Sequence, residues 1–125
     1  MTISTAPILI VVPQTYEATP EGVIKAGWLM SQMDIAGGIV ASECAKGRTA
    51  TIAVKELVFK HSAFIYDVLK IYAKVSKVGK SSVTIELTVM ADQKLGAGEK
   101  NILIGQAIFV YVAIEKPGIK RLIEI

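Results

Sequence analysis

A single carboxylate, Asp34, stands inside the apolar segment Gly27 to Gly38, which reads GWLMSQMDIAGG. On a helical wheel Trp28, Leu29, Met30, Met33, Ile35, Ile39, Val40 and Cys44 cover nearly every direction around it, so the segment reads as a helix buried on most sides. An isolated ionised carboxylate in such surroundings is costly unless it is paired, hydrogen-bonded or protonated. Gly37 and Gly38 follow one helical turn later, over the Asp34 side chain, and a glycine in a helix interior costs roughly 1 kcal/mol relative to alanine. Two readings stand at this point. Asp34 is either a structural acid bonded to a backbone amide, with the glycines allowing close packing on a sheet, or a reactive carboxylate above which the glycines keep space open. The glycines, together with the polar neighbours Ser31 and Gln32, favour the second reading, in which the carboxylate serves as general base or nucleophile.

Few other residues compete for chemistry. The one cysteine, Cys44, has no Cys or His at metal-ligand spacing and cannot form an internal disulfide, so it reads as a small core residue. The one histidine, His61, lies in a different segment, and nothing else activates the thiol. A net charge of +3 and a pI near 9.0 favour an anionic partner. Lys70, Lys74, Lys77 and Lys80 concentrate around one hairpin, which suits either a solvated face or a small phosphorylated ligand. Aromatic residues make up only 6% of the chain and do not alternate with basic ones, which argues against a nucleic-acid platform.

The elements that must hold Asp34 follow from length and pattern. A chain of 125 residues is expected to form one domain over 1–125. Its 52% hydrophobic content and mean hydropathy of +0.50 exceed what the core of so small a monomer absorbs, so subunit interfaces and a homo-oligomer are expected. The longest apolar run, Ala107 to Ile114, is far short of the ~20 residues a membrane-spanning helix needs, which argues against a membrane protein. The opening MTISTAPILIVVPQ has neither a basic n-region nor a small-residue cleavage pattern, so a cytoplasmic location is expected.

Ile8 to Val12, closed by Pro13, reads as a first strand. The polar stretch Gln14 to Glu21 leads through Gly22 into the helix, which should end near Lys46 with Gly47 as its cap. From Thr49 the period changes to two: Thr51 to Phe59 is β-branched and apolar, and Leu69, Ile71, Ala73 and Val75 alternate with polar or amphipathic residues. After the turn KVGK, Val83, Ile85, Leu87 and Val89 alternate likewise, completing a hairpin with one buried face. A Gly- and Lys-rich loop, Asp92 to Asn101, precedes a last long strand, Leu103 to Ile114, and Pro117-Gly118 releases a short tail. The layout is α+β, with one long helix wrapped by a curved antiparallel sheet of about five strands.

The chain resembles the hotdog-fold acyl-CoA thioester hydrolases, and within them the bacterial short- and medium-chain acyl-CoA thioesterases. The resemblance rests on GWLMSQMDIAGGIVAS over the helix, AKGR at Ala45 to Arg48, KVGKSS at Lys77 to Ser82, and AIFVYVAI at Ala107 to Ile114, covering most of the chain from Gly22 to Ile114. It implies a hotdog fold and hydrolysis of acyl-CoA, with Asp34 as the catalytic acidic residue, acting as general base or nucleophile. It also implies that the backbone amide at Gly27, in the pair Ala26-Gly27, meets the thioester carbonyl. Gly79, Lys80, Ser81 and Ser82 are implied to lie near the CoA phosphates and pantetheine, and Thr19 to stand at a family position beside the substrate; Gly38, from the open space over Asp34, is expected to border the substrate as well. No metal or redox cofactor is implied, since coenzyme A enters as part of the substrate. Dimers, often assembled into hexamers as trimers of dimers, are implied, with the active site between subunits.

The chain departs from that pattern around the cleft. Thr19 replaces an Asn, Val23 an acidic residue and Lys55 another acidic residue, Ser62 replaces a proline, and Tyr66-Asp67 stands for a Gly-Asp pair. Loss of the Asn removes a donor near the carbonyl or attacking water. A second hypothesis is therefore an acyl-CoA-binding or regulatory hotdog module with little turnover.

Overall fold

The computed structural model describes residues 6–124. Its elements are β1 (Leu9–Val11), a short 3-10 turn (Thr15–Glu17), α1 (Ala26–Ala45), β2 (Thr49–Phe59), β3 (Val68–Val78), β4 (Ser82–Asp92), β5 (Ile102–Lys116) and β6 (Ile119–Lys120). The strands form one antiparallel sheet in the order β1-β3-β4-β5-β2, with β6 turning back on β5. β2 and β1 are its edges. The expected segments appear, with β2 beginning at Thr49 and β5 running two residues past Ile114. Among the described residues no helix is long and apolar enough to cross a membrane.

The period-two pattern explains the sheet. On β3 and β4 the residues Leu69, Ile71, Ala73, Val83, Ile85, Leu87 and Val89 are buried, and burying a side chain of this kind contributes about 1.5–3 kcal/mol. Val75, on the same face and paired with the buried Ile85, is nonetheless exposed, and a bulge between it and Lys77 ends the regular alternation beyond it. On β5 a register shift opposite Val89 and Met90 passes the inward face from Ile104 to Ala107, Phe109 and Tyr111. Gly105 lies here because a side chain would meet the Phe59 ring and the Val58 carbonyl of β2.

α1 lies across this face, mainly on β3 and β4, and buries Leu29, Met33, Ala36, Gly37, Ala41 and Ala45. Burial on nearly every side is corrected: Ile35 is 50% and Ile39 42% exposed, because one open sheet covers only part of a helix. Cys44 packs against the core, half-buried. The start of the helix is also corrected. Gly22 (φ +86°) belongs to a turn four residues earlier, and Val23 and Ile24 are extended, bridging to Phe64 and Ala18. At the other end the left-handed residue is Lys46 rather than Gly47. The Lys46 and Gly47 amides donate to the Glu43 and Ser42 carbonyls, a Schellman closure.

The chain after Pro117-Gly118 is not a released tail. The Arg121 amide donates to the Ala113 carbonyl and the Ile123 amide to that of Lys80, so this segment straps the end of β5 to the β3-β4 turn. The Arg121 guanidinium packs where a Gly47 side chain would stand, and its Nε donates to the Ile114 carbonyl.

Candidate active site

Asp34 sits in the middle of α1, half-buried, above the rung in which Thr51 of β2 and Val83 of β4 both pair with Tyr111 of β5. Residues directly opposite in an antiparallel pair share a face, so the Thr51 and Tyr111 side chains rise together toward the helix. The Thr51 hydroxyl donates to Asp34 Oδ1 at 2.5 Å. The Tyr111 hydroxyl donates to the same oxygen at 3.0 Å and to the Asp34 main-chain carbonyl, also at 3.0 Å. Oδ1 is thereby engaged twice, while Oδ2 takes no donor among the described residues. Burial, reinforced by the Asp34 charge and the hydrogen bond to it, pushes the Tyr111 phenol far above its ordinary range, so it remains a donor.

The two glycines divide their work. Gly37 is where the Tyr111 hydroxyl reaches the helix, and a Cβ there would collide with that oxygen and press on the ring carbons behind it. A Cβ on Gly38 would meet only Tyr111 Cε2, at an ordinary 3.9 Å. Gly38 lines an open groove of about 460 Å³ with Asp34, Ile39, Ser42, Thr51 and Tyr111. The space above the carboxylate is thus kept by Gly38, whereas Gly37 serves the tyrosine.

Gly27 lies exposed in the first turn of α1. The amides of Trp28 and Leu29 donate to the Lys25 carbonyl, which leaves those of Ala26 and Gly27 without an intrahelical acceptor. No side chain caps this end and no acidic residue occupies its first turn, so the dipole's positive end is uncompensated. Beside it a cleft of about 250 Å³ is lined by Val23, Ala26, Leu29, Phe59, His61 and Ser62. Gly27 and Asp34 are two helical turns apart, roughly 10 Å along the axis at 1.5 Å per residue. One thioester carbonyl cannot touch both within a single chain.

Thr19 lies in the approach to α1, where its Oγ1 accepts the Val23 amide at 3.3 Å and its carbonyl accepts that of Gly22 at 2.8 Å. Gly79, Lys80, Ser81 and Ser82 form the β3-β4 turn. The Gly79 amide donates to the Ser82 carbonyl, the Ser82 hydroxyl fills the space beside Gly79, and Lys80 is exposed. Neither Thr19 nor this turn lines the Asp34 groove of the same chain. The expected lysine cluster is thinner than its count: Lys70 is paired with Asp92 at 3.1 Å and donates to Asn101 Oδ1, and Lys74 stands opposite Glu86. The Asn101 amide and the Lys70 ammonium hold the Asp92 carboxyl below its usual value.

Thr51 and Tyr111 escaped the sequence reading, since in strands they look like ordinary β-formers. The only hint was that an inward-facing tyrosine needs a partner for its hydroxyl.

One helix laid over an antiparallel sheet of this order, with a carboxylate held at its middle, defines the hotdog class. The sequence matches the family described as Thioesterase superfamily over residues 21–97, and the chain belongs to that family. It is 37% identical over 109 residues to the acyl-CoA thioester hydrolase YciA of Salmonella typhimurium, covering 84% of this chain and 80% of that one. The hexameric thioesterase of Yersinia pestis superposes with a TM-score of 0.91 at 32% identity, covering 98% of each chain. A hexameric broad-specificity acyl-coenzyme A thioesterase superposes with a TM-score of 0.90 at 31% identity, covering all of this chain and 85% of its own.

Proposed function

We propose that this protein hydrolyses acyl-CoA thioesters to the free acid and CoA, with Asp34 as the base. The observation that carries the reading is the asymmetric grip on the carboxylate: two hydroxyls claim Oδ1, and Oδ2 is left for a water molecule. Oδ2 takes a proton from that water as its oxygen bonds to the thioester carbon. The intermediate collapses with cleavage of the C–S bond, and the protonated Asp34 gives its proton to the departing sulfur, so CoA leaves as the thiol and the carboxylate is restored. An amide at Gly27 stabilises the oxyanion, aided by the helix dipole. This chemistry uses a carboxylate and water, without a metal or redox cofactor.

The separation of Gly27 from Asp34 along one helix supports a site shared by two copies, with Gly27 of one facing Asp34 of another. The exposed Ile35 and Ile39 of α1, and Ile52, Val54 and Val58 of the edge strand β2, provide apolar surface for such a homodimer. Assembly of dimers into a hexamer is the arrangement we infer, by analogy with the hexameric relatives. CoA phosphates are assigned to Lys80, Ser81 and Ser82 and the remaining contacts to Thr19 and Gly38. A cytoplasmic location fits a CoA substrate and a free thiol.

The test is free-thiol release across a panel of acyl-CoA chain lengths, run beside Asp34→Asn. The variant is expected to fold and assemble normally and to lose at least ~100-fold in turnover. Near wild-type turnover in folded Asp34→Asn sinks the assignment of the base. Binding of acyl-CoA by the wild type without thiol release favours the binding module instead.

A further inference from the structure

Tyr111 is 2% exposed, and its ring stacks on Phe109 with centroids 6.3 Å apart. A phenylalanine fills that space equally well. The hydroxyl is what requires accommodation, because it reaches α1 at the one position where a Cβ is missing, Gly37. A glycine in the middle of a helix costs roughly 1 kcal/mol relative to alanine, so the helix bears a cost in order to admit one oxygen atom. That oxygen donates to Asp34 alone, at its main-chain carbonyl and its carboxylate, with the Thr51 hydroxyl beside it as a further hydrogen-bond partner.

We propose that Tyr111 is a positioning residue of the hydrolytic site: it ties the Asp34 carboxylate to the helix backbone from beneath and, with Thr51, decides which carboxylate oxygen faces the substrate. The proposal rests on Asp34 being the base. An aspartate on a helix has more than one χ1 well and a soft, two-fold χ2, so without a restraint it presents either oxygen over a range of directions. Fixing Oδ1 from two neighbouring strands removes that freedom before substrate arrives, which is where a preorganised site gains rate. The phenol does not ionise in any working range, because burial and the adjacent carboxylate both oppose it. Tyr111 is the only titratable residue besides Asp34 among those lining the groove.

The decisive variant is Tyr111→Phe, which keeps the ring and removes the oxygen. We expect kcat to fall about 10- to 100-fold with KM within about twofold, since the contact orients the base and does not touch substrate. A crystal structure of the variant should show the Asp34 carboxylate rotated or in two conformers. Gly37→Ala, which displaces the hydroxyl from the other side, should reproduce the fall in kcat. An unchanged kcat per folded active site in Tyr111→Phe, with only a lowered Tm, overturns the proposal by returning the hydroxyl to a purely structural role. An undisturbed Asp34 carboxylate in the variant structure overturns it equally. If the wild type releases no thiol from any acyl-CoA, the thioesterase reading fails on its own, and the variant structure still decides whether Tyr111 holds the carboxylate.

Discussion

The Tyr111 hydroxyl occupies the place where a side chain on Gly37 would begin, so helix and sheet are fitted to each other at one atom. The neighbouring Gly38 has no such constraint. Alanine at the two positions should therefore move stability in opposite directions. Gly37→Ala forces a buried, rigid ring to shift, and a net loss of about 1–3 kcal/mol is expected in denaturant unfolding. Gly38→Ala makes ordinary contact and gains helix propensity, stabilising by about 0.5–1 kcal/mol. Equal effects at both positions would show that the tyrosine does not dictate the glycine.

Tyr66 adopts φ +69°, a left-handed conformation that costs a side-chain-bearing residue about 1–2 kcal/mol. Its side chain is 48% exposed and so returns little of that by packing. Tyr66→Gly is expected to stabilise the protein by about 1 kcal/mol, read as a higher denaturant midpoint at constant slope. A lower midpoint means that the ring's contacts outweigh the strain.

How much of this was legible in the sequence depended on whether the signal was local. The β3-β4 hairpin announced itself because its period-two pattern is carried by adjacent residues. Asp34 stood out because a lone carboxylate among apolar residues is conspicuous without a structure. The start of α1 was misplaced because Lys25 supplies no capping side chain to mark it. The strap after Gly118 was missed because it depends on the fit of Arg121 against Gly47, distant in sequence. Thr51 and Tyr111 were invisible as site residues for the same reason, since only the pairing of β2 with β5 brings them together.

Asp67 is buried, which pushes its carboxyl above its ordinary value of 3.8, while the hydrogen bond from the Phe64 amide pulls the other way. A carboxyl raised in the folded state adds stability that is full below the unfolded value and fades as pH climbs through the raised one. Asn keeps an acceptor for the Phe64 amide and carries no charge. Asp67→Asn should therefore melt higher than wild type at about pH 7, with the advantage shrinking toward about pH 4. A pH-independent loss in the variant would mean that carboxylate geometry, rather than its desolvation, dominates.

Lys80 is exposed at the β3-β4 turn and has no ion-pair partner among the described residues. Lys80→Glu should raise KM for acyl-CoA severalfold with kcat at saturation nearly unchanged, and the wild-type KM should rise with salt. An unchanged KM without salt dependence moves the CoA phosphates to another part of the oligomer.

β2 pairs with β5 alone, and β5 is the last long strand to be made. On the ribosome β2 is finished several seconds before its partner, at about 5–20 residues per second. Throughout that interval it is an unpaired, β-branched segment carrying Ile52, Val54 and Val58 into solvent. The most dangerous moment for this protein is thus its own synthesis, when chaperones have the most to protect and a slowed or stalled ribosome does the most harm.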